Sequence, residues 1–342
     1  MNLKVVWQLL KETVSEWNKD KVSRLAAALA YYTIFSLAPL LIIAIAIVGS
    51  IFGEAAARGQ VVAQIQGLVG KDGAQFIQTA IQNAHKPNEG NIASIIGFVF
   101  LLFGASGVFA QLQDSLNTIW EVQPKPDRAL FVVLRDRFFS FAMVLVIGFL
   151  LLVSLLLTAG LAAAVHFVGG LLPGFDFLWQ ALSLIVSFAT ITLLFALIYK
   201  VLPDVKITWS DVWIGASITS LLFTIGKQLL GLYLGQGSLG STYGAAGSLV
   251  IILTWVYYSA QILFFGAEFT KVYAKKRGSK ILPNEHAEPM PTQARAEQGM
   301  KTDQDSRTSS GKPKPSPNFF NRLWRKLTNS KRPPPTRRQR RS

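Results

Sequence analysis

The chain has 342 residues, of which 51% are hydrophobic and 15% charged, with a formal net charge of +15. Soluble domains average about 25% charged residues, so too few polar faces remain here to solvate a bundle of ordinary core helices. Cysteine is absent, which excludes disulfides, a thiolate nucleophile and cysteine-bound zinc.

In chain order, the first 24 residues are polar and basic, with Lys4, Lys11, Lys19, Lys21 and Arg24. They are too long for the charged start of a signal peptide, and the apolar run that follows is too long for its core, so a retained first span is expected. No charged side chain stands between Arg24 and Glu54, between Glu89 and Asp114, between Arg137 and Asp176, or between Asp176 and Lys200. From Asp211 to Glu268 the single charge between the two ends is Lys227. About 20 apolar residues cross hydrocarbon as a helix, and continuous apolarity rules out the period-two pattern of barrel strands. The fold class expected is all-α: a polytopic transmembrane helical bundle with six spans, at about 25–52, 92–110, 138–165, 178–199, 212–234 and 245–270, filling a domain of 1–273.

Two connections carry helical patterns of their own. Val61, Ile65, Leu68 and Val69, then Phe76, Ile77, Ala80 and Ile81 after Asp72-Gly73, predict short amphipathic helices that lie in the interface or cap the bundle. Leu112, Leu116, Ile119 and Trp120 form a similar stripe, ended by Pro124 and Pro126. The loops after the second and fourth spans hold Lys125, Arg128, Arg135 and Arg137, and Lys200 and Lys206, whereas the alternate loops are poorer in Lys and Arg. That asymmetry places both termini on the cytoplasmic side of the membrane.

Residues 274–342 hold 18 of the 34 Lys and Arg but only 5 of the 19 Asp and Glu, so nearly all the net charge lies there. Their Pro, Ser, Gln and Gly content predicts a disordered tail. Within it, at about 318–331, Phe319, Phe320, Leu323, Trp324 and Leu327 fall near one helical face beside Arg322, Arg325 and Lys326. A basic aromatic helix of this kind suits anionic lipids, each charge being worth about 1 kcal/mol near the surface. A plain solvated tail, or a tail that binds a protein or nucleic acid, are the alternatives, with nucleic acid the less favoured.

An ionisable side chain inside a span is costly and marks a functional site by default. Lys227 lies about 15 residues from the inner end of its span, roughly 22 Å along the helix, in the outer half. It either snorkels to the outer headgroups or faces a polar cavity with Gln228 and Tyr233. Glu268 lies near the inner interface, too far from Lys227 for a direct pair. It faces water there, pairs with a basic residue such as Arg24 or Arg137, or exchanges protons. Tyr258 and Gln261, three apart, share a face. The histidines His85, His166 and His286 fit no metal spacing, and no phosphate-binding loop or nucleophile elbow occurs, so no enzyme and no cofactor are expected.

Three motifs carry a resemblance. Arg24-Leu-Ala-Ala-Ala-Leu-Ala-Tyr-Tyr32-Thr-Ile-Phe-Ser-Leu-Ala-Pro39-Leu40 resembles the first-span signature of the YihY/BrkB family of bacterial membrane proteins. Leu116-Asn117-Thr-Ile-Trp120 resembles its loop after span two, and Tyr243-Gly244-Ala-Ala-Gly247 through Trp255-Val-Tyr-Tyr258 to Gly266-Ala-Glu268-Phe269 resembles its last span. The likeness covers about residues 10–275 and implies a six-span inner-membrane protein, labelled a transporter or virulence factor, with no secure substrate. It also implies an old ribonuclease label that the residues do not support. The motif positions are Arg24, Tyr32, Pro39, Asn117, Trp120, Gly244, Gly247, Gln261 and Glu268. The leading expectation is a transporter or lipid-handling protein with a polar site between spans one, five and six, drawing on Lys227, Glu268, Gln261 and Arg24. A non-transporting scaffold comes second and a membrane-tethered nuclease last.

Overall fold

The long apolar runs fold as long helices because, away from water, a helix satisfies every backbone group within its own segment. The computed structural model describes residues 3–84, 91–126, 176–235, 247–279 and 281–300. Helix α1 (Leu3–Lys19) precedes α2 (Val22–Phe52), α3 (Glu54–Ala84) and α4 (Asn91–Ile119). The short strand β1 (Val122–Pro124) follows α4. Then come α5 (Asp176–Val201), β2 (Val205–Lys206), α6 (Trp209–Gly235) and α7 (Gly247–Arg277). The strands β3 (Leu282–Pro283) and β4 (Ala287–Pro289) close this part of the chain.

Four helical stretches among the described residues are long and apolar enough to cross a membrane: Val22–Ile43, Leu184–Val201, Trp209–Leu230 and Gly247–Arg277. They match the expected first, fourth, fifth and sixth spans. The expected second span lies in α4, and the third, at 138–165, lies outside the described residues. The apolar stripe from Leu112 to Trp120 is not a separate helix. It continues α4 without a break to Ile119.

The helices α2 and α7 form the middle of the bundle: α2 packs on α3, α4 and α7, and α7 also receives α1 and α6. The main apolar core joins Val22, Leu116, Trp120, Tyr199, Ala216 and Phe264 from five of the helices. A second cluster, at the other end of α2, joins Ile45 to Val69, Ile77 and Ile81 of α3 and to Ile251 and Ile252 of α7. The apolar faces of α3 therefore bury against the bundle. The break in α3 falls at Gly70, whose φ of 78° lies in the region that glycine alone enters freely, and not at Asp72-Gly73 as expected.

Close approach sets the helix contacts. A Cβ on Gly266 of α7 would overlap Thr219 Oγ1 and the Tyr199 hydroxyl, and one on Gly215 of α6 would overlap Thr270 Oγ1. The Tyr199 hydroxyl donates to Leu263 O at 2.7 Å and lies 2.9 Å from Thr219 Oγ1, so the small residues admit a buried polar contact between α5, α6 and α7. On the opposite side, Pro39 of α2 leans on Gly104 of α4. Such small-residue contacts replace the hydrophobic drive that lipid cannot supply.

Two expectations need correction. Two short strand pairs stand beside the mostly helical bundle, and regular structure continues past 274, where a disordered tail was expected to begin. Residues 274–277 complete α7, and the chain then folds back so that β4 pairs antiparallel with β1 and β3 with β2. Strands of two or three residues carry no readable periodicity. They form here because Asn284 N donates to Asp204 O, Met290 N to Glu121 O and Lys125 N to His286 O, each bridging segments distant in sequence. Beyond Pro291 a separate unit begins, of which α8 (Thr292–Glu297) is described. The segment around Phe319, Phe320, Trp324, Arg325 and Lys326 lies outside the described residues.

Substituting Gly266→Ala forces its methyl into Thr219 and Tyr199. Overpacking of this kind costs about 1–3 kcal/mol. A clear fall in the thermal midpoint of the purified protein in detergent is expected, with no comparable loss for alanine at exposed Gly59, where a Cβ meets nothing within 4 Å.

Candidate functional site

The site grows from two chain reversals. At the end of α1 the chain turns into α2 through Lys21, at φ 50°, and at the end of α4 it turns through Glu121, at φ 61°. Both are non-glycine residues in the left-handed region, which costs about 1–2 kcal/mol each. At α4 the residue kept there has a carboxylate that glycine lacks, and at α1 the turn directs Asp20 inward. Asp20 is fully buried.

Both carboxylates meet Lys271 of α7. Its ammonium lies 2.8 Å from Asp20 Oδ2, 2.9 Å from Glu268 Oε2, 3.5 Å from Glu121 Oε1 and 3.6 Å from Glu16 Oε2. The contact to Asp20 is a hydrogen bond, with Nζ donating. The contact to Glu268, one turn back on the same helix, is ionic rather than a directed hydrogen bond. Lys271 is 1% exposed, and Asp20 and Glu268 are not exposed at all. Towards the rim, Lys19 pairs with Glu16 at 2.6 Å and Lys275 with Glu121 at 3.2 Å. Farther out, Lys276 meets Glu12 at 3.3 Å.

One ammonium thus ties α1, α4 and α7 together at one end of the bundle. Oxygens of Glu16, Asp20 and Glu121 lie within 4.8 Å of one another, a spacing that suits a metal ion. Lys271 already reaches all three, so a metal would have to displace a cation that the protein itself supplies.

Beside the cluster runs a groove of about 270 Å³ between α6 and α7, lined by Trp17, Leu222, Ile225, Gly226, Tyr258, Gln261, Ile262 and Phe265. Its walls are apolar except for Tyr258 and Gln261, and Gln261 Oε1 is buried without a hydrogen-bond partner. Gln261 and Glu268 are seven residues apart on one face of α7, and Trp17 near the end of α1 stands three residues before Asp20 in the turn that follows it.

The other expected residues divide sharply. Glu268 is central, but its partner is Lys271 and not Arg24, which is exposed at the start of α2. Arg137 lies outside the described residues. Lys227 is exposed on α6 and does not line the groove with Gln261. Its neighbour Gly226 is the one facing α7, against Tyr258 and Ile262. Pro39, as seen above, sets the α2–α4 contact, while Tyr32 is exposed beside Tyr31. Asn117 is a clamp: its Nδ2 donates to Asp204 Oδ2 at 2.9 Å, and its Oδ1 accepts from Asp204 N at 2.7 Å. Trp120 is buried in the main core, Gly247 begins α7, and Gly244 lies outside the described residues.

Residues missed from the sequence are Asp20, Glu121 and Lys271. Each stands at the polar edge of an apolar run, where a charge is ordinary. The one available signal was Glu268 itself, whose i+3 neighbour is Lys271.

A family model described as virulence factor BrkB matches residues 13–291. A UPF0761 membrane protein of Verminephrobacter eiseniae is 30% identical over 276 residues, which cover 77% of this chain and 62% of that relative's length. A UPF0761 membrane protein of Alteromonas mediterranea is 30% identical over 75% of this chain and 84% of its own. One of Aggregatibacter aphrophilus is 27% identical over 80% and 94%. These names say membrane protein and indicate no enzymatic family. No solved structure matches.

Removing one partner from a buried ion pair costs about 3–5 kcal/mol, whereas an exposed pair contributes about 0–1 kcal/mol. Lys271→Met is therefore expected to destabilise the protein severely. Lys275→Met, at a side chain 52% exposed, should have little effect in the same denaturation assay.

Proposed function

The chain belongs to the BrkB family of membrane proteins, and from that premise we propose that it moves an amphiphilic molecule, such as a lipid, across the bacterial inner membrane. The observation that carries this reading is the α6–α7 groove, an apolar cleft with the Gln261 amide in its wall, two helical turns along α7 from Glu268. An apolar chain fits Leu222, Ile225, Ile262 and Phe265, while the Gln261 amide in the groove wall is the polar partner for its head once that side chain turns into the cleft. The Lys271 cluster then acts as the closure of the path at its end, because separating α1 from α7 breaks the pair between Asp20 and Lys271.

In the full arrangement we propose six spans, with 138–165 as the third, both termini in the cytoplasm by the distribution of Lys and Arg, and the α1 end inside. The basic tail docks on anionic lipid through Phe319, Phe320, Trp324, Arg325 and Lys326. In this arrangement Glu268 belongs to the closure, and Lys227 sits towards the outer leaflet, where its stem reaches the headgroups.

A second reading, a non-transporting scaffold, is favoured by one observation: the groove that Gln261 lines does not reach Lys227, and the main apolar core joins side chains of five helices. A tethered nuclease has the least support, since the acidic trio suited to a metal already surrounds Lys271.

In proteoliposomes carrying a fluorescent lipid, bleaching of the inner-leaflet label by external dithionite should be faster than in protein-free vesicles. Gln261→Leu should slow it about fivefold, the value of one hydrogen bond of about 1 kcal/mol. Rates equal to those of empty vesicles for the folded wild type would favour the scaffold.

A further inference from the structure

The helix α1 buries only part of its apolar surface. Leu9 and Leu10 pack on Phe269, Val272, Ile214 and Ile218, so α1 crosses the adjoining ends of α6 and α7. The apolar arc does not stop at that contact. Trp7, 71% exposed, and Val14, 48% exposed, lie seven residues apart on one edge of the helix. Lys4 lies three residues before Trp7 and Lys11 four after it, both exposed, so they stand along this edge.

The position of α1 says what covers the edge. Only Asp20 and Lys21 separate it from α2, whose apolar stretch long enough to cross a membrane begins at Val22. The same end of the bundle holds Trp209 and Trp213, both partly exposed, with ring centroids 6.4 Å apart. The Lys200 ammonium lies 5.7 Å above the Trp209 ring. Tryptophans with lysines mark the headgroup level of a span. Since Ile214, the neighbour of Trp213, packs against the cluster of Leu9, α1 lies at that level too.

We propose that α1 is an interfacial anchor: its Trp7–Val14 edge beds into the headgroup–acyl boundary, and Lys4 and Lys11 bind the phosphates of anionic lipids there. The inference rests on the membrane placement of the bundle and not on transport. It gives the Lys271 cluster a second neighbour, because the helix that carries Glu16 and leads into Asp20 is held by lipid on one side and by α7 on the other.

The full chain lacks cysteine, so single labels are readily placed. Spin labels at Val14→Cys and at Ser15→Cys, on the solvent side, are compared in nanodiscs of phosphatidylcholine with and without phosphatidylglycerol. The label at position 14 should favour oxygen over an aqueous nickel complex, and the one at position 15 should favour nickel. Adding phosphatidylglycerol should deepen position 14, and Lys4→Gln with Lys11→Gln should abolish that response while the wild-type fold and thermal midpoint persist. Equal nickel access at both positions overturns the proposal, as does shielding that ignores lipid charge. Shielding that instead grows with protein concentration in detergent identifies a second copy as the occupant and overturns it too.

Discussion

An ammonium with 1% exposure at the end of a transmembrane helix is the constraint around which this end of the protein is built. Lys271 loses its water on folding, and that loss is offset only if carboxylates surround it with good geometry. They come from the end of α1, from the turn after α4 and from one turn back on α7. The positions of three elements therefore follow from a single charge. The positive φ at Lys21 and Glu121 fits this order of causes, since each reversal accepts backbone strain and delivers a carboxylate to the ammonium. The rim lysines Lys19 and Lys275 contact two of the same acids, so the ion pairs form one network around Lys271.

The rest of the bundle places Lys271 at the required depth. Gly266 and Gly215 let α6 and α7 approach until Thr219, Thr270 and Tyr199 fill the seam. Hydroxyls in these helices are mostly satisfied within their own helix, as Thr219 by Gly215 O and Thr270 by Gly266 O, so they act in packing and not as a polar pathway. On the far side, Asn117 fixes Asp204, whose backbone receives Asn284, and the segment after α7 is thereby fastened across the ends of α4 and α5. Cluster, seam and strand clasp all stand at the same end of α7.

How much of this was legible follows from length scales. A span needs about 20 apolar residues, so helices such as α2, α5, α6 and α7 announce themselves. A strand such as β3, with two residues, shows nothing until Asp204 and Asn284 are near each other. Glu268 stood out because a buried charge inside a span is rare. The same rule pointed at Lys227, yet depth along a helix does not give direction around it, and Gly226 is the residue turned towards α7. Lys271, Asp20 and Glu121 were hidden for the opposite reason: at the edge of an apolar run, a solvated charge and a buried one read alike. Similarity to the family places Asn117 and Pro39 among its motifs, but only the contacts with Asp204 and Gly104 say what they do.

The most direct test of the central claim is a double-mutant cycle in denaturation with Asp20→Asn, Lys271→Met and the double variant. If Asp20 and Lys271 stabilise each other through a buried ion pair, the single changes are strongly non-additive and the coupling exceeds about 1.5 kcal/mol, within the range found for residues in one network. Effects that add to within about 0.5 kcal/mol would contradict the account, since residues that do not interact behave that way.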